Sequence, residues 1–217
     1  VKSLERSASR TQRFVSWACQ KYKRERAPRG GLLLSSNSPK GKVVDVLGVY
    51  QQWARMIDPR HFRNVLGTWP TGVCVITAID ADGQRHGLVV GSFSSISLDP
   101  PLVGFFPDKR SSTWPKIASI GRFCVNVLGA GQLDLCNRFA ARSEDKFAEL
   151  AHSVSPSGQP LLDDAIAWID CTVERVEDIG DHLLVVGAVE ALDRSDDGTP
   201  LLFFRGKYHD VADLPGV

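Results

Sequence analysis

The residues with the clearest chemical potential lie between Gly87 and Pro101, in the stretch GLVVGSFSSISLDPP. Within it, four hydroxyls fall in six residues between apolar flanks: Ser92, Ser94, Ser95 and Ser97. Each hydroxyl can donate a hydrogen bond at small steric cost, which suits a bound phosphate or a polar ring edge. The same composition is typical of an ordinary serine-rich turn, so the residues alone leave both interpretations open. We predict a strand, a hydroxyl-rich turn, a second strand and a rigid Asp-Pro-Pro stop.

Other catalytic and nucleotide-binding motifs are weak or missing. Gly129-Ala130-Gly131 follows a predicted strand and precedes a helix, but the third glycine of a dinucleotide loop would fall at Asp134, and no βαβ series surrounds it. The sequence contains neither a GxSxG elbow nor a P-loop. Two pairs of adjacent carboxylates stand in turn-like contexts typical of solvated loops, Asp163-Asp164 and Asp196-Asp197. These patterns favour neither a Rossmann domain nor an acid–base pair.

Cysteine and histidine usage indicates free thiols and no metal site. The five cysteines are widely spaced in apolar surroundings without a CxxC pair, at positions 19, 74, 124, 136 and 171. We therefore expect buried, unpaired thiols in a reducing cytoplasm. The five histidines lack the spacing of metal ligands.

Composition is that of a globular chain with an unusual charge distribution. The 217 residues are 43% hydrophobic and 24% charged, and no run of eighteen apolar residues predicts a membrane span. Residues 1–42 carry eleven Lys or Arg and two acidic residues, a net charge of +9. The remainder carries fifteen basic and twenty-three acidic residues, a net charge of −8. We expect one domain preceded by a separate basic segment.

Three interpretations of this basic segment, residues 1–55, stay open. The first is a flexible basic arm that touches nucleic acid or another anionic surface. The second is a segment similar to a transit peptide, and the third is a leader that the working protein does not need. The only methionine is Met56, and regular secondary-structure patterns begin directly after it. We favour the dispensable leader, expect disorder there, and assign residues 56–217 to the folded domain.

The domain begins with a short helix and a hairpin. Asp58-Pro59 predicts an N-cap followed by proline at the first helical position, and Gly67 stands where a C′ glycine belongs. GVCVITAID predicts a strand that ends at the turn DADG and pairs with RHGLVVGSF. The prolines of ISLDPPLVGFF mark an edge or a bend.

The second half of the domain alternates short helices with strands. Ser112 or Thr113 is predicted to cap a helix that Gly121 ends, and RFCVNVLG is predicted to be a strand. QLDLCNRFAARSEDKF predicts a helix and a second short turn. AWIDCTVERVEDI and GDHLLVVGAVEAL predict a long hairpin across the GD turn, and LLFFRGKYHDV completes the set of strands. Six or seven mostly antiparallel strands argue for a mainly β fold, a β-barrel with peripheral short helices.

From Asp58 to Tyr208 the chain resembles the short-chain flavin reductases of the FMN-binding split-barrel fold, the reductase components of two-component flavin monooxygenases. The resemblance rests on FRNVLGTWPTGVCVIT, SFSSISLDPPLV, RSSTWPKI, GRFCVNVL, the pair Arg138-Phe139 followed by DKF, GDH and PLLFFRGKYH in this order. It implies NAD(P)H-dependent reduction of FMN or FAD and release of the reduced flavin to a separate oxygenase. The similarity is greatest to reductases that serve hydroxylation of phenolic or steroid-derived rings, or of chelators such as nitrilotriacetate.

The resemblance also implies site residues, transferred motif by motif. The flavin ring and ribityl chain would run along His86, Gly87, Leu88, Val89, Gly91 and Ser92, with Phe106, Pro107 and Asp108 at the next strand end. The phosphate would be held by Ser112, Thr113, Arg138 and Lys146, with Phe139 beside it. His182 and Tyr208 would line the nicotinamide pocket. Phe139 is also the kind of residue that fills a core, and Lys146 and His182 also fit plain surface roles.

Hydride transfer of this kind needs orientation more than acid–base help, so we expect no essential nucleophile or general base. The resemblance further implies a homodimer with the flavin near its interface, and neither nucleic acid nor membrane as a partner. Two alternatives stay open: a split-barrel oxidase that retains FMN, and a non-enzymatic flavin-binding protein.

Overall fold

The computed structural model describes residues 57–143 and 145–212, so the predicted leader at 1–55 lies outside the described residues. Three α-helices occur in this part of the chain: α1 (Pro59–Leu66), α2 (Trp114–Ile120) and α3 (Leu133–Ala140), the last preceded by a 3₁₀ turn at Ala130–Gln132. Each is eight residues long or shorter, and all the rest of the regular structure is β. No helix of the described residues has the length and apolarity to cross a membrane.

Twelve strands form three antiparallel sheets in the described residues. In chain order they are β1 (Thr71–Gly72), β2 (Cys74–Ile79), β3 (Arg85–Val90), β4 (Ser94–Leu98), β5 (Pro101–Phe105), β6 (Arg122–Val127), β7 (His152–Val154), β8 (Pro160–Leu162), β9 (Ala167–Ile179), β10 (His182–Arg194), β11 (Leu202–Phe204) and β12 (Lys207–His209). The main sheet has seven strands in the order β3-β2-β6-β9-β10-β5-β4. The predicted mainly β architecture with peripheral short helices is confirmed. The additional short strands β1, β7 and β8 escaped prediction because two or three residues carry no periodicity.

The two predicted hairpins are confirmed. β2 pairs with β3 in the register Ala78↔His86, and β9 pairs with β10 from His182↔Ile179 onward. The turn between β2 and β3 is fixed by Asp80, whose Oδ1 accepts the backbone N–H groups of Asp82 and Gln84 at 3.1 and 2.8 Å. This Asp-anchored turn sets which side chains of β3 face the interior.

The serine-rich prediction was wrong in one respect. Ser94 and Ser95 do not lie in a turn, because they belong with Ser97 to β4, an edge strand paired with β5. The turn is instead made by Asp99-Pro100, which contains the cis peptide bond and joins β4 to β5. The register slips by one residue between Ser95 and Ser97, as in a β-bulge, and such irregularities are common at sheet edges. Serine composition gave no sign of this cross-strand pairing.

The helix-end predictions are partly confirmed. Asp58 caps α1, since its Oδ1 accepts the N–H of His61 at 2.8 Å, but Gly67 is right-handed (φ −64°) rather than a left-handed C′ glycine. Gly121 ends α2 in the left-handed region (φ 73°), as predicted. Thr113 occupies the N-cap position of α2 without a side-chain capping bond, and the hydroxyl of Ser111 accepts the N–H of Trp114 instead.

The core consists of two clusters of buried hydrophobic side chains, one on each face of the sheet. One packs α2 against the sheet, where the ring of Phe105 meets Trp114 and Phe123 edge to face at 5.5 and 5.4 Å. The other packs α3 against β3 around Phe139 and Phe147, whose ring centroids are 5.0 Å apart. These clusters hold α2 and α3 on either side of β3, and that placement creates the cleft described below.

Four of the five predicted thiols are buried and free, at Cys74, Cys124, Cys136 and Cys171, while Cys19 lies outside the described residues. Burial raises the pKa of Cys74 and of Cys171 to about 12, so both stay protonated near neutral pH. Their role is packing.

Candidate functional site

A polar cleft of about 330 Å³ lies beside β3, at the start of α2 and next to the loop that follows α3. Its lining consists of cationic side chains and hydroxyls together with one glycine: Arg85, His86, Gly87, Ser112, Thr113, Lys116, Ser143 and Lys146. The structure thereby brings together five residues that the resemblance assigned to the flavin: His86, Gly87, Ser112, Thr113 and Lys146. Four nitrogen-bearing side chains and three hydroxyls form a site suited to a phosphate.

Three lining residues were missed at the sequence level: Arg85, Lys116 and Ser143. Arg85 precedes the recognised motif by one residue, and Lys116 stands three residues after Thr113. Proximity in sequence to Thr113 points to Lys116, whereas no predicted hydroxyl stands near Arg85. Since α2 has only seven residues, the lysines and hydroxyls rather than the helix end supply most of the attraction for an anion.

Lys146 is anchored in this cleft by backbone carbonyls. Its Nζ donates to the carbonyl of Phe139 at 2.6 Å and lies 3.4 Å from that of Gly87. Burial lowers the pKa of the Lys146 ammonium. The residue is therefore held between α3 and the edge strand β3 rather than extended into solvent.

Gly87 and Phe139 form one packed unit. A Cβ placed at Gly87 would lie 2.2 Å from Cε1 of Phe139, so only glycine allows this ring to approach the strand. Phe139 is 1% exposed and belongs to the core. Its predicted place beside the phosphate is indirect, since its carbonyl oxygen rather than its ring meets Lys146.

The remaining predicted flavin residues lie along β3 and near the end of β5. Leu88 and Val89 are in β3, which is an edge strand, while Gly91 directly follows it. The hydroxyl of Ser92 accepts the N–H of Phe106 at 2.9 Å and so ties the end of β3 to the end of β5. Phe106 is 42% exposed. None of these residues lines the polar cleft, and their contact with flavin stays a prediction.

Asp108, three residues beyond the end of β5, and His182, the first residue of β10, are brought together by an isolated antiparallel bridge. The carbonyl of Pro107 accepts the N–H of Leu183 at 3.0 Å and closes this corner. His182 Nδ1 lies 2.8 Å from Asp181 Oδ1, and the imidazole is partly exposed. The hydrogen-bonded guanidinium of Arg110 holds the pKa of Asp108 well below its usual range. One residue assigned to flavin and one assigned to nicotinamide are thus neighbours.

Two predicted residues lie apart from these groups. The guanidinium of Arg138 donates to the carbonyl of Ala148, and Arg138 does not line the cleft. Tyr208 packs on Phe203 with ring centroids 5.2 Å apart and receives a hydrogen bond from the thiol of Cys136 at 3.3 Å. The contact with Cys136 raises the pKa of Tyr208 to about 12. Within the described residues, no hydrogen bond or ring contact joins Tyr208 to His182.

A larger cleft of about 560 Å³ lies at the Gly129–Gln132 loop. Its lining includes the carboxylates of Asp164, Asp197 and Asp210 and no Lys, Arg or His. This acidic lining repels phosphate, so the loop does not serve as a dinucleotide cradle. No group of three potential metal ligands gathers anywhere in the described chain.

Comparison with known proteins agrees with the sequence resemblance. The Flavin reductase like domain family matches residues 66–212. A flavin reductase of Pseudomonas putida is 51% identical over 156 residues, covering 72% of this chain and 92% of that protein. The reductase subunit HsaB of a flavin-dependent monooxygenase from Rhodococcus jostii (strain RHA1) is 48% identical, covering 71% and 79%.

Solved structures show the same architecture. Nitrilotriacetate monooxygenase component B from Mycobacterium thermoresistibile superposes with a TM-score of 0.70 at 43% identity, covering 75% of this chain and 93% of that one. The flavin reductase PheA2 superposes with a TM-score of 0.67 at 36% identity, covering 72% and 100%. The chain therefore belongs to the flavin reductase-like family of split-barrel proteins, as an NAD(P)H:flavin oxidoreductase.

Proposed function

We propose that this enzyme reduces free FMN or FAD with NADH or NADPH and releases the reduced flavin to a separate monooxygenase. The observation that carries the proposal is the cationic cleft, where Lys146, Lys116 and the hydroxyls of Ser112 and Thr113 converge beside β3. A flavin phosphate fits this lining, and the ribityl chain and ring would continue along the edge strand. Both FMN and FAD carry a phosphate at this position, so the cleft serves either.

The residues act by holding the two substrates rather than by acid–base chemistry. A bound flavin supplies the hydride acceptor, and the protein orients it against the nicotinamide. Lys146 and the cleft hydroxyls fix the phosphate end, while His182, beside Asp108, would contact the nicotinamide nucleotide. A related reductase, the NADH:FAD oxidoreductase SgcE6 of Streptomyces globisporus, is known in complex with NAD and FAD fragments. That complex supports FAD and NADH as substrates here.

The partner oxygenase is proposed from relatives. Similar reductase components serve different oxygenases, among them a trigonelline monooxygenase of Acinetobacter baylyi. For this chain we propose an oxygenase that acts on a phenolic or steroid-derived aromatic ring, as the sequence resemblance implies. Because free reduced flavin diffuses, no stable complex between reductase and oxygenase is required.

We also propose a homodimer. Helix α1 buries none of its residues, and its apolar side chains Phe62, Val65 and Leu66 are each about half exposed. Trp69, which follows α1, is 74% exposed, and Leu98 on the edge of the main sheet is 93% exposed. Apolar residues exposed in this number favour an interface with a second copy of the chain.

The test is NADH oxidation at 340 nm with catalytic amounts of free FMN, FAD or riboflavin. The proposal predicts rapid NADH consumption under air whose rate rises with added free flavin and saturates. If flavin stayed bound through gel filtration and the rate of NADH oxidation did not depend on added flavin, the alternative of an oxidase that retains FMN would be supported instead. Binding of flavin without any NADH consumption would support a flavin store.

A further inference from the structure

The side chain of Asp80 closes the β2–β3 turn and at the same time contacts His86, a residue that lines the cleft. Its Oδ1 accepts two backbone N–H groups within the turn, from Asp82 and Gln84. Its Oδ2 lies 2.9 Å from Nε2 of His86, which lines the cleft. The hydrogen bond with His86 lowers the pKa of Asp80, so the group is a carboxylate. The turn alone needs only Oδ1, which leaves Oδ2 for a second task.

An ionised carboxylate can only accept hydrogen bonds, so Nε2 of His86 must carry the proton in this pair. In the neutral imidazole, Nδ1 is then an acceptor. The side chain of His86 is 13% exposed, which limits its choice of partners. The other charged groups that line the cleft with it are Arg85, Lys116 and Lys146, all of which are donors. His86 Nδ1 is thus an acceptor for a neutral donor of the ligand, in addition to the hydroxyl oxygens of the lining.

We propose that Asp80 is a positioning residue that fixes the tautomer of His86, so that Nδ1 accepts a hydrogen bond from a ribityl hydroxyl of the flavin. This inference rests on the proposed function, since it takes the cleft as the flavin site. The ribityl chain is covalently joined to the phosphate, so its hydroxyls come next to the groups that hold the phosphate. Lys146 serves the phosphate, and the Asp80–His86 pair serves the chain that carries it.

The decisive variant is Asp80→Asn, which keeps the size of the side chain. The two turn N–H groups demand an acceptor at the Oδ1 position, so the amide nitrogen is directed at His86 Nε2. An N–H aimed at Nε2 makes that nitrogen an acceptor and moves the ring proton to Nδ1, as an asparagine in place of a histidine-orienting aspartate does elsewhere. Nδ1 then donates instead of accepting.

The tautomer is read directly from the ¹⁵N ring signals of His86, assigned by their loss in His86→Gln. Wild-type protein is expected to show the proton at Nε2, and Asp80→Asn at Nδ1. This readout does not depend on activity, and a purely structural role for Asp80 would leave the wild-type pattern in place.

The affinities for FMN, riboflavin and lumiflavin are measured from the quenching of their fluorescence on binding. Lumiflavin lacks the ribityl hydroxyls. Asp80→Asn is expected to lower the affinity for FMN and for riboflavin about tenfold, because one hydrogen bond is lost and a donor is left without an acceptor. The affinity for lumiflavin should not change. Lys146→Gln is expected to lower the affinity for FMN alone. In a His86→Gln background, where the amide can rotate to present either atom, Asp80→Asn is expected to add little.

Each failure has its own pattern. If Lys146→Gln lowered the affinity for FMN but Asp80→Asn did not change the affinity for riboflavin, the positioning role of Asp80 would be overturned and the proposed flavin site would stand. Equal weakening of lumiflavin would overturn the contact with the ribityl chain. If neither His86→Gln nor Lys146→Gln changed any flavin affinity, the cleft would not be the flavin site, and the inference would fall with it.

Discussion

At the residue scale, the side chains assigned to the two substrates have different surroundings. Lys146 is partly buried and donates to backbone carbonyls, whereas the imidazole of His182 is partly exposed and pairs with the carboxylate of Asp181. A buried anchor suits the phosphate of a flavin that must be held in one place. An exposed imidazole at a strand corner suits a nucleotide that binds briefly and leaves.

His182→Ala is expected to raise the KM for NADH about tenfold, because roughly one hydrogen bond to the nicotinamide nucleotide is lost. The dissociation constant for FMN should change less than twofold. Steady-state kinetics at saturating FMN and fluorescence titration of FMN measure the two quantities. Arg194→Gln, at an exposed ion pair, is the control. A collapse of FMN affinity with an unchanged KM for NADH would contradict the assignment.

At the scale of elements, the site depends on α3 lying directly against β3. The contact is made possible by Gly87, whose missing side chain leaves room for the ring of Phe139. The carbonyl of that same phenylalanine then receives Lys146. A change in the packing of α3 against β3 would therefore move the ammonium of Lys146 as well as weaken the core.

Gly87→Ala is expected to destabilise the fold by about 1–3 kcal/mol, because the new methyl group overlaps the Phe139 ring and forces it to move. For a domain of this size this corresponds to a fall in Tm of roughly 2–12 °C, measured by thermal unfolding. The matched control is Gly131→Ala, where a Cβ would meet nothing within 4 Å. An unchanged Tm for Gly87→Ala would show that the ring does not pack as described.

At the scale of the whole molecule, local patterns predicted most of the fold. The DADG turn and the alternation in the 167–194 region gave both hairpins, because adjacent strands pair through their own turn. The pairing of β4 with β5 was harder to predict, so Ser94 and Ser95 of β4 were assigned to a turn. The cleft was found only in part, since Arg85 and Lys116 reach it through the packing of α2 beside β3 rather than through a motif. The bond of Arg138 to Ala148 likewise depends on a loop whose path the sequence does not reveal.

The quaternary structure and the basic leader are tested together. A chain beginning at Met56 is expected to retain full NADH oxidation, since the family match spans residues 66–212. Light scattering should give the mass of a dimer for both lengths, and Leu98→Asp with Trp69→Asp should shift it toward the monomer. A monomeric mass for the unaltered chain, or loss of activity on truncation, would contradict these two proposals.

The central claim is that the cleft beside β3 holds the phosphate of the flavin that is reduced. The most direct test compares the KM for FMN and for riboflavin in NADH oxidation, for the wild type and Lys146→Gln, with Arg194→Gln at an exposed ion pair as the control. The predicted result is a rise of about 10- to 100-fold in the KM for FMN, the order of a lost charged hydrogen bond, with riboflavin nearly unchanged. An equal change for both flavins, or none for FMN, would contradict it.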